Sequence, residues 1–163
     1  MKSSKNALDL IKFYESFEPR KYMCPAGKPT IGYGHVILPK ELNLNTAVLS
    51  EKDATDLLAK DILEFEKTIL SLVKVPLTQN EFDALVSFTF NLGGGNLASS
   101  TLLKTINSNM KSETYAQFLR WNKSTVKGKL IELEGLTRRR KSEAILFRDN
   151  RLTFDIKEVG SVK

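Results

Sequence analysis

The stretch YESFEPRKYMCPAGKPTIGYGH, residues 14–35, passes from a helical pattern into a strand pattern and carries the chain's only cysteine and only histidine. Before it, Leu10, Tyr14 and Phe17 recur at i, i+4 and i+7, the spacing of one helix face, and Ser3, Ser4 or Asn6 can cap the start. Pro19 is the expected stop, which leaves Glu15 in the last turn at the border of the apolar stripe. Residues 20–24 and 30–35 then read as two short strands around the connection PAGKP. On that reading Cys24 and Thr30 flank the loop and face one another, while Thr30, Gly32 and Gly34 share one face. Two glycines in a strand mark either a weak edge or a place where a ligand lies close to the backbone.

Working outward, residues 36–49 form a linker, and SEKD at 50–53 resembles a capping box. Ala54, Leu57, Leu58, Ile62, Phe65, Ile69 and Leu72 keep a helical period through a segment that would span about 30 Å. Thr78 and Glu81 open another helix, apolar nearly all round, which Gly93 to Gly95 should stop. Further helices are expected at 99–107, 113–122 and 136–147, with 123–135 a loop that includes at most a short extended piece. The fold class is therefore α+β: a small lobe of residues 15–50 with a β-hairpin, and a larger helical lobe of residues 75–150. The N-terminal helix and the 50–74 helix join them in one domain, residues 1–163. A cleft between the lobes is the expected ligand site.

With 163 residues, 41% hydrophobic and 27% charged, the chain can bury a core without staples, and its single cysteine permits no internal disulfide. Asp9, Lys12 and Glu15 interrupt the N-terminal segment, so neither a signal peptide nor a membrane helix is expected there. The net charge of +6 favours polyanionic partners: nucleic acid, an anionic membrane or a bacterial wall. The sharpest basic run, RRRK at 138–141, reads as a solvated helix face more readily than as a nucleic-acid patch. No zinc-ligand spacing, P-loop or dinucleotide fingerprint occurs, so no metal or cofactor is expected.

Glu15 is the first candidate for chemistry. The negative end of a helix dipole and an apolar border both disfavour its anion. A carboxyl group that keeps its proton is what glycosidic cleavage needs, because the leaving oxygen must be protonated as it departs. The plainer alternative is a solvated helix-end glutamate. Cys24 is the second candidate, either as a reactive thiol or as a half-buried small apolar residue.

The ordered pattern narrows these alternatives. Glu15, eight residues, Cys24, five residues and Thr30, followed by TIGYGH at 30–35, resembles the T4-type bacteriophage lysozyme family. LTQNEFDALVSFTFNLG (77–93), SSTLLKTIN (99–107), FLRWN (118–122) and GLTRRRKSEAILF (135–147) resemble further segments of it, so the likeness runs from residue 8 to 148. It implies a lysozyme-like fold and a cofactor-free, monomeric muramidase. The implied reaction is hydrolysis of the β-1,4 bond between N-acetylmuramic acid and N-acetylglucosamine in peptidoglycan, for host lysis, with no nucleic-acid partner. Glu15 takes the general-acid position, and Cys24 and Thr30 the positions that activate or place the nucleophile. Gly32 and Gly34 would let the glycan approach the hairpin, and His35 would brace it at the substrate. Phe90, Asn91 and Ser100 are the implied sugar contacts. Such an enzyme would wait in the host cytoplasm until a separate membrane lesion releases it to the wall.

The chain departs from the family pattern at Cys24, where many members have Asp. A free thiol, with pKa near ~8.5, stays largely neutral at pH 7 unless nearby cations lower it, and Arg20, Lys21 and Lys28 are close in sequence. A thiolate could attack the sugar or help Thr30 hold a water. The missing carboxylate leaves one rival, a lytic transglycosylase acting on the same bond; the net charge leaves another, a cell-wall- or nucleic-acid-binding module without activity, which would not explain the spacing of Glu15, Cys24 and Thr30.

Overall fold

The computed structural model describes residues 1–156. Its first helix, α1 (Lys5–Glu15), is capped by the Ser4 hydroxyl and buries Ala7, Leu10 and Ile11. The helix ends earlier than the proline would require. Ser16 takes φ 61°, with its N–H still donating to the Lys12 carbonyl, and Pro19 lies inside the following strand. A residue in the positive-φ region cannot continue a right-handed helix, so the turn at Ser16, not Pro19, places Glu15 at the end.

Three strands follow in the order β1 (Glu18–Met23), β2 (Pro29–Gly32) and β3 (His35–Val36), all antiparallel. The expected single strand over 30–35 is thus two strands folded back at Gly32 to Gly34. Gly32 and Gly34 have φ 69° and 81°, which glycine adopts without a Cβ penalty. This fold-back overturns two expectations. Thr30 pairs with Tyr22, not Cys24, and the two glycines do not share a face. A Cβ at Gly32 would meet Ala54 at 3.4 Å, inside the protein, whereas one at Gly34 would meet Glu15 Oε2 at 3.2 Å.

After a 3₁₀ turn (Leu42–Asn45), Ser50 caps α2 (Glu51–Leu72) by accepting from the Asp53 N–H. This helix buries Ala54, Leu58, Ile62 and Ile69 and, at 22 residues, spans about 33 Å. Then comes α3 (Gln79–Leu92), with Thr78 and Glu81 in a reciprocal capping box and nearly every residue from Glu81 to Thr89 buried. It packs against α1, α2 and the last helix, and the start of α1 is tied to it by the Ser4 N–H donating to Asp83 Oδ1 at 3.0 Å.

Gly93 (φ 90°) does stop α3, but a short helix, α4 (Gly94–Ser99), starts at once. It lies so close to α2 that a Cβ at Gly94 would stand 2.9 Å from Thr68 Cγ2. Next come α5 (Thr101–Asn107), α6 (Thr114–Leu119) and α7 (Glu134–Asp149), the first and last within a few residues of expectation. The segment expected as a loop at 123–135 holds a second hairpin, β4 (Lys123–Val126) and β5 (Lys129–Glu132). Its two turn residues, Lys127 and Gly128, both have positive φ, as a two-residue hairpin turn requires. The core is continuous: Ala7, Leu10 and Tyr33 join Phe82, Phe88, Phe118 and Leu146 in one buried cluster. Among the described residues, no helix is long and apolar enough to cross a membrane.

Because α3 carries cleft residues at its C-terminal end, its N-terminal cap is a sensitive point for stability. Thr78→Ala should cost about 1–2 kcal/mol by orphaning the Glu81 N–H and breaking the reciprocal box. A denaturant midpoint unchanged from the parent would contradict this.

Candidate active site

The last helix reaches back to the first. Glu15 Oε1 accepts from Arg139 Nη1 at 2.7 Å, a contact between the end of α1 and the middle of α7. Arg139 is 3% exposed, and its other donors are also used. Nε faces Glu143 Oε1 at 3.3 Å, Nη2 donates to the Ser87 carbonyl at 3.3 Å, and the guanidinium lies 5.9 Å from the Tyr14 ring. One oxygen of Glu15 is therefore anchored, and the other, Oε2, lies over Gly34 beside Phe90. Glu15 itself keeps 22% of its side-chain surface exposed.

These contacts correct two expectations. The RRRK run is not a solvated face or a nucleic-acid patch throughout: Arg138 is exposed and pairs with Glu134, but Arg139 and Arg140 are buried. Nor is Glu15 surrounded only by a helix dipole and apolar atoms, since a buried cation touches it. Arg139 is the functional residue that sequence reasoning missed. The available signal was a glutamate at i+4, Glu143, immediately before the apolar run AILF.

Glu15 opens onto a cleft of about 820 Å³. The β1–β2 connection lines it with Cys24, Pro25 and Ala26, while α2 contributes Asp61, Glu64 and Phe65. Phe90 and Asn91 at the end of α3 line it as well, with Phe65 and Phe90 packed edge to face at 5.7 Å. Ser100 does not belong here. It is 1% exposed and caps α5, donating to the Leu97 carbonyl at 2.7 Å and accepting from the Leu103 N–H at 3.0 Å. Gly32 faces the core as described, so Gly34 alone keeps the backbone bare at the cleft.

Cys24 is partly exposed at the cleft wall. The backbone N–H of Lys28 draws its thiol below the ordinary range; burial opposes this, and the Thr30 hydroxyl, the Ala26 N–H and the Lys28 charge add to it. Of the three nearby cations, only Lys28 acts. Thr30 is buried behind the thiol, and its hydroxyl donates to the Lys28 carbonyl at 3.0 Å. That hydroxyl has one hydrogen and can turn it to a Cys24 thiolate by rotating about its C–O bond. The loop is thus a small anion pocket suited to a thiolate or a carboxylate.

His35 braces the wall from behind. Nδ1 lies 2.8 Å from Asp61 Oδ2 on α2, and Nε2 lies 2.9 Å from Glu41 Oε2. Both ring nitrogens are taken, so His35 offers no hydrogen bond to a sugar. The Asp61 hydrogen bond, against burial and with help from Glu41, raises the imidazole to about 9. Among the described residues, no group of three or more His, Cys, Asp or Glu side chains is placed to hold a metal ion.

A carboxyl group with one oxygen anchored by an internal arginine and the other at an open cleft can give or take a proton there. Known proteins supply the family. The phage lysozyme family matches residues 12–143. The endolysin of Acyrthosiphon pisum secondary endosymbiont phage 1 is 40% identical, over 90% of this chain and 98% of its own. The endolysin of Salmonella phage P22 is 33% identical, over 89% and 97%. An endolysin from Escherichia coli O157:H7 phage FAHEc1 superposes with a TM-score of 0.84 at 38% identity, covering 94% of this chain and 97% of that one. The muramidase domain of SpmX from Asticaccaulis excentricus gives 0.82 at 36%, covering 90% and 97%. The chain belongs to the phage lysozyme family, and with it to the lysozyme hydrolases that act on peptidoglycan.

The His35 bridge has a defined pH signature. An imidazole at about 9 when folded and ~6.5 when unfolded stabilises the fold fully below the unfolded value, and that stability is lost as pH rises through 9. The stability gap between the parent and His35→Asn should therefore shrink by on the order of 3 kcal/mol between pH 6 and pH 10. Urea unfolding at several pH values measures it, and a gap independent of pH would contradict the charged bridge.

Proposed function

We propose that this protein is an endolysin that hydrolyses the β-1,4 bond between N-acetylmuramic acid and N-acetylglucosamine, with Glu15 as the general acid. The observation that carries the proposal is the asymmetry at Glu15: Oε1 is anchored at 2.7 Å by Arg139 while Oε2 is left to the cleft. In the protonated form, Oε2 gives its proton to the glycosidic oxygen as the bond to the anomeric carbon breaks. Water adds to that carbon and loses a proton, so one water is consumed for each bond cut.

Cys24 and Thr30 activate or place the nucleophile. The N–H groups and the hydroxyl around Cys24 favour its anion, which can accept the proton of the attacking water or attack the sugar itself. Phe90 and Asn91 line the cleft with Glu15; the Phe90 ring face and the Asn91 side-chain N–H groups meet the sugars, the Asn91 Oδ1 being buried. The bare backbone at Gly34 leaves room for a sugar beside Oε2. The two lobes, residues 15–50 and 75–150, act as one catalytic domain around this cleft. The +6 charge draws the protein to anionic wall polymers, and release from the host cytoplasm depends on a separate membrane lesion.

Glu15→Gln should keep the fold and wall binding and lose lysis by on the order of 10²–10⁴-fold, because the amide preserves shape and has no proton to transfer. Clearing of purified walls at a substantial fraction of the parent rate would remove Glu15 as the acid.

Cys24 separates chemistry from packing. Cys24→Asp should remain active, because the donors around the thiol serve a carboxylate equally well. Cys24→Ser should be severely impaired, since a hydroxyl hardly ionises at neutral pH. Thiol alkylation should inactivate the parent and leave the Asp variant untouched. If Ser equals or exceeds Asp in lytic rate, with all three proteins folded, the catalytic role is lost.

A further inference from the structure

In GLTRRRKSEAILF, residues 135–147, two arginines and a glutamate are buried together with Ser142 and the apolar residues Ala144 to Phe147. Arg140 and Glu143 are both 0% exposed. Arg140 Nη2 donates to Glu143 Oε1 at 2.8 Å, and its guanidinium lies 5.1 Å from the Phe88 ring. Among the described residues, Arg140 Nε and Nη1 and Glu143 Oε2 find no protein hydrogen-bond partner. A buried ion pair so incompletely satisfied is poor value as a packing element, because well-packed apolar residues often stabilise a core as well or better.

The pair stands directly behind Arg139. Glu143 Oε1 lies 3.3 Å from Arg139 Nε and also accepts from the Ser87 hydroxyl at 2.8 Å. The charges therefore alternate inward from the cleft: Glu15, Arg139, Glu143, Arg140. With Glu15 ionised the row is neutral, and with Glu15 protonated it carries one positive charge. Without Glu143, two cations would face Glu15 and hold it as an anion. Without Arg140, Glu143 would offset Arg139 alone, and the proton on Glu15 would be favoured.

We propose that Glu143 and Arg140 are positioning residues that set the protonation of Glu15 electrostatically through Arg139. This rests on the reading of Glu15 as the general acid. Neither residue touches the cleft; their effect is carried by the guanidinium between them and the acid. The other ionisable groups around Glu15 are Tyr14 beside it on α1, Tyr22 on β1, Cys24 on the β1–β2 connection, the charged His35 on β3, and Asp61 and Glu64 on α2. None of them changes in the variants below.

The test compares Glu143→Gln and Arg140→Met, which remove opposite charges from one site. The Glu15 carboxyl is titrated by carbon-13 NMR, alongside the pH dependence of wall lysis and melting temperatures. Glu143→Gln should move the titration midpoint and the alkaline limb of lysis to lower pH by roughly one unit, and Arg140→Met should move both to higher pH by a similar amount. The double variant should return towards the parent. Opposite shifts from two variants that both lower the melting temperature cannot come from loosened packing. If either variant fails to fold, the sign of the other decides. Midpoints that coincide with the parent's in folded variants overturn the proposal. If midpoints do not move and Glu15→Gln is inactive, this inference falls and Glu15 stays the acid. If Glu15→Gln is active, the acid assignment falls, and the titration still reports the coupling.

Discussion

The contact between Arg139 and Glu15 joins residues 124 positions apart, and the rest of the site depends on it. A guanidinium this deeply buried costs least where its charge and its donors are met, and Glu15, Glu143 and the Ser87 carbonyl meet those of Arg139. Each partner comes from a different packing requirement. Ser87 lies on the all-buried face of α3, Glu143 one turn further along α7, and Glu15 at the end of α1, released by the turn at Ser16. If Arg139 were lost, a carboxylate at the cleft would be free to rotate, and Glu143 would keep Arg140 as its counter-charge.

The second half of the site is built by backbone. The β1–β2 connection turns its N–H groups towards Cys24, and the fold-back at Gly32 to Gly34 brings Gly34 beneath Glu15. His35 closes that fold-back and ties it to α2 through Asp61 and to the following loop through Glu41. A rigid helical contact thus holds Glu15, and a short, strongly hydrogen-bonded sheet holds the Cys24 side of the cleft. Reaction geometry needs that rigidity, because small misplacements of a reacting group cost large factors in rate.

Local signals were legible in the chain and non-local ones were not. Ser50 and Thr78 announce their helices because a capping side chain bonds only to residues two or three positions away. The long period from Ala54 to Ile69 survives for the same reason. The glycines at 32 and 34 were ambiguous: they suit both a strand approached by a ligand and a turn with positive φ, and only pairing partners decide between these. The β4–β5 hairpin lacked a signal because its strands are mostly exposed and show no apolar alternation, while Lys-Gly is a weaker turn marker than Asn-Gly. The burial of Arg139 and Arg140 could not be read locally, since it depends on Glu15 and Ser87. Glu15 and Cys24 were singled out by their spacing and its resemblance to a family, and they line one cleft. Ser100 was misplaced because a hydroxyl that caps a helix and one that binds a sugar look alike in a sequence.

The claim that this cleft performs hydrolysis is tested most directly by digesting purified peptidoglycan in water enriched in oxygen-18 and weighing the fragments. Hydrolysis with Glu15 as acid predicts that each newly formed reducing end carries one heavy oxygen. Fragments ending in an anhydro sugar, lighter by one water and free of label, would contradict it.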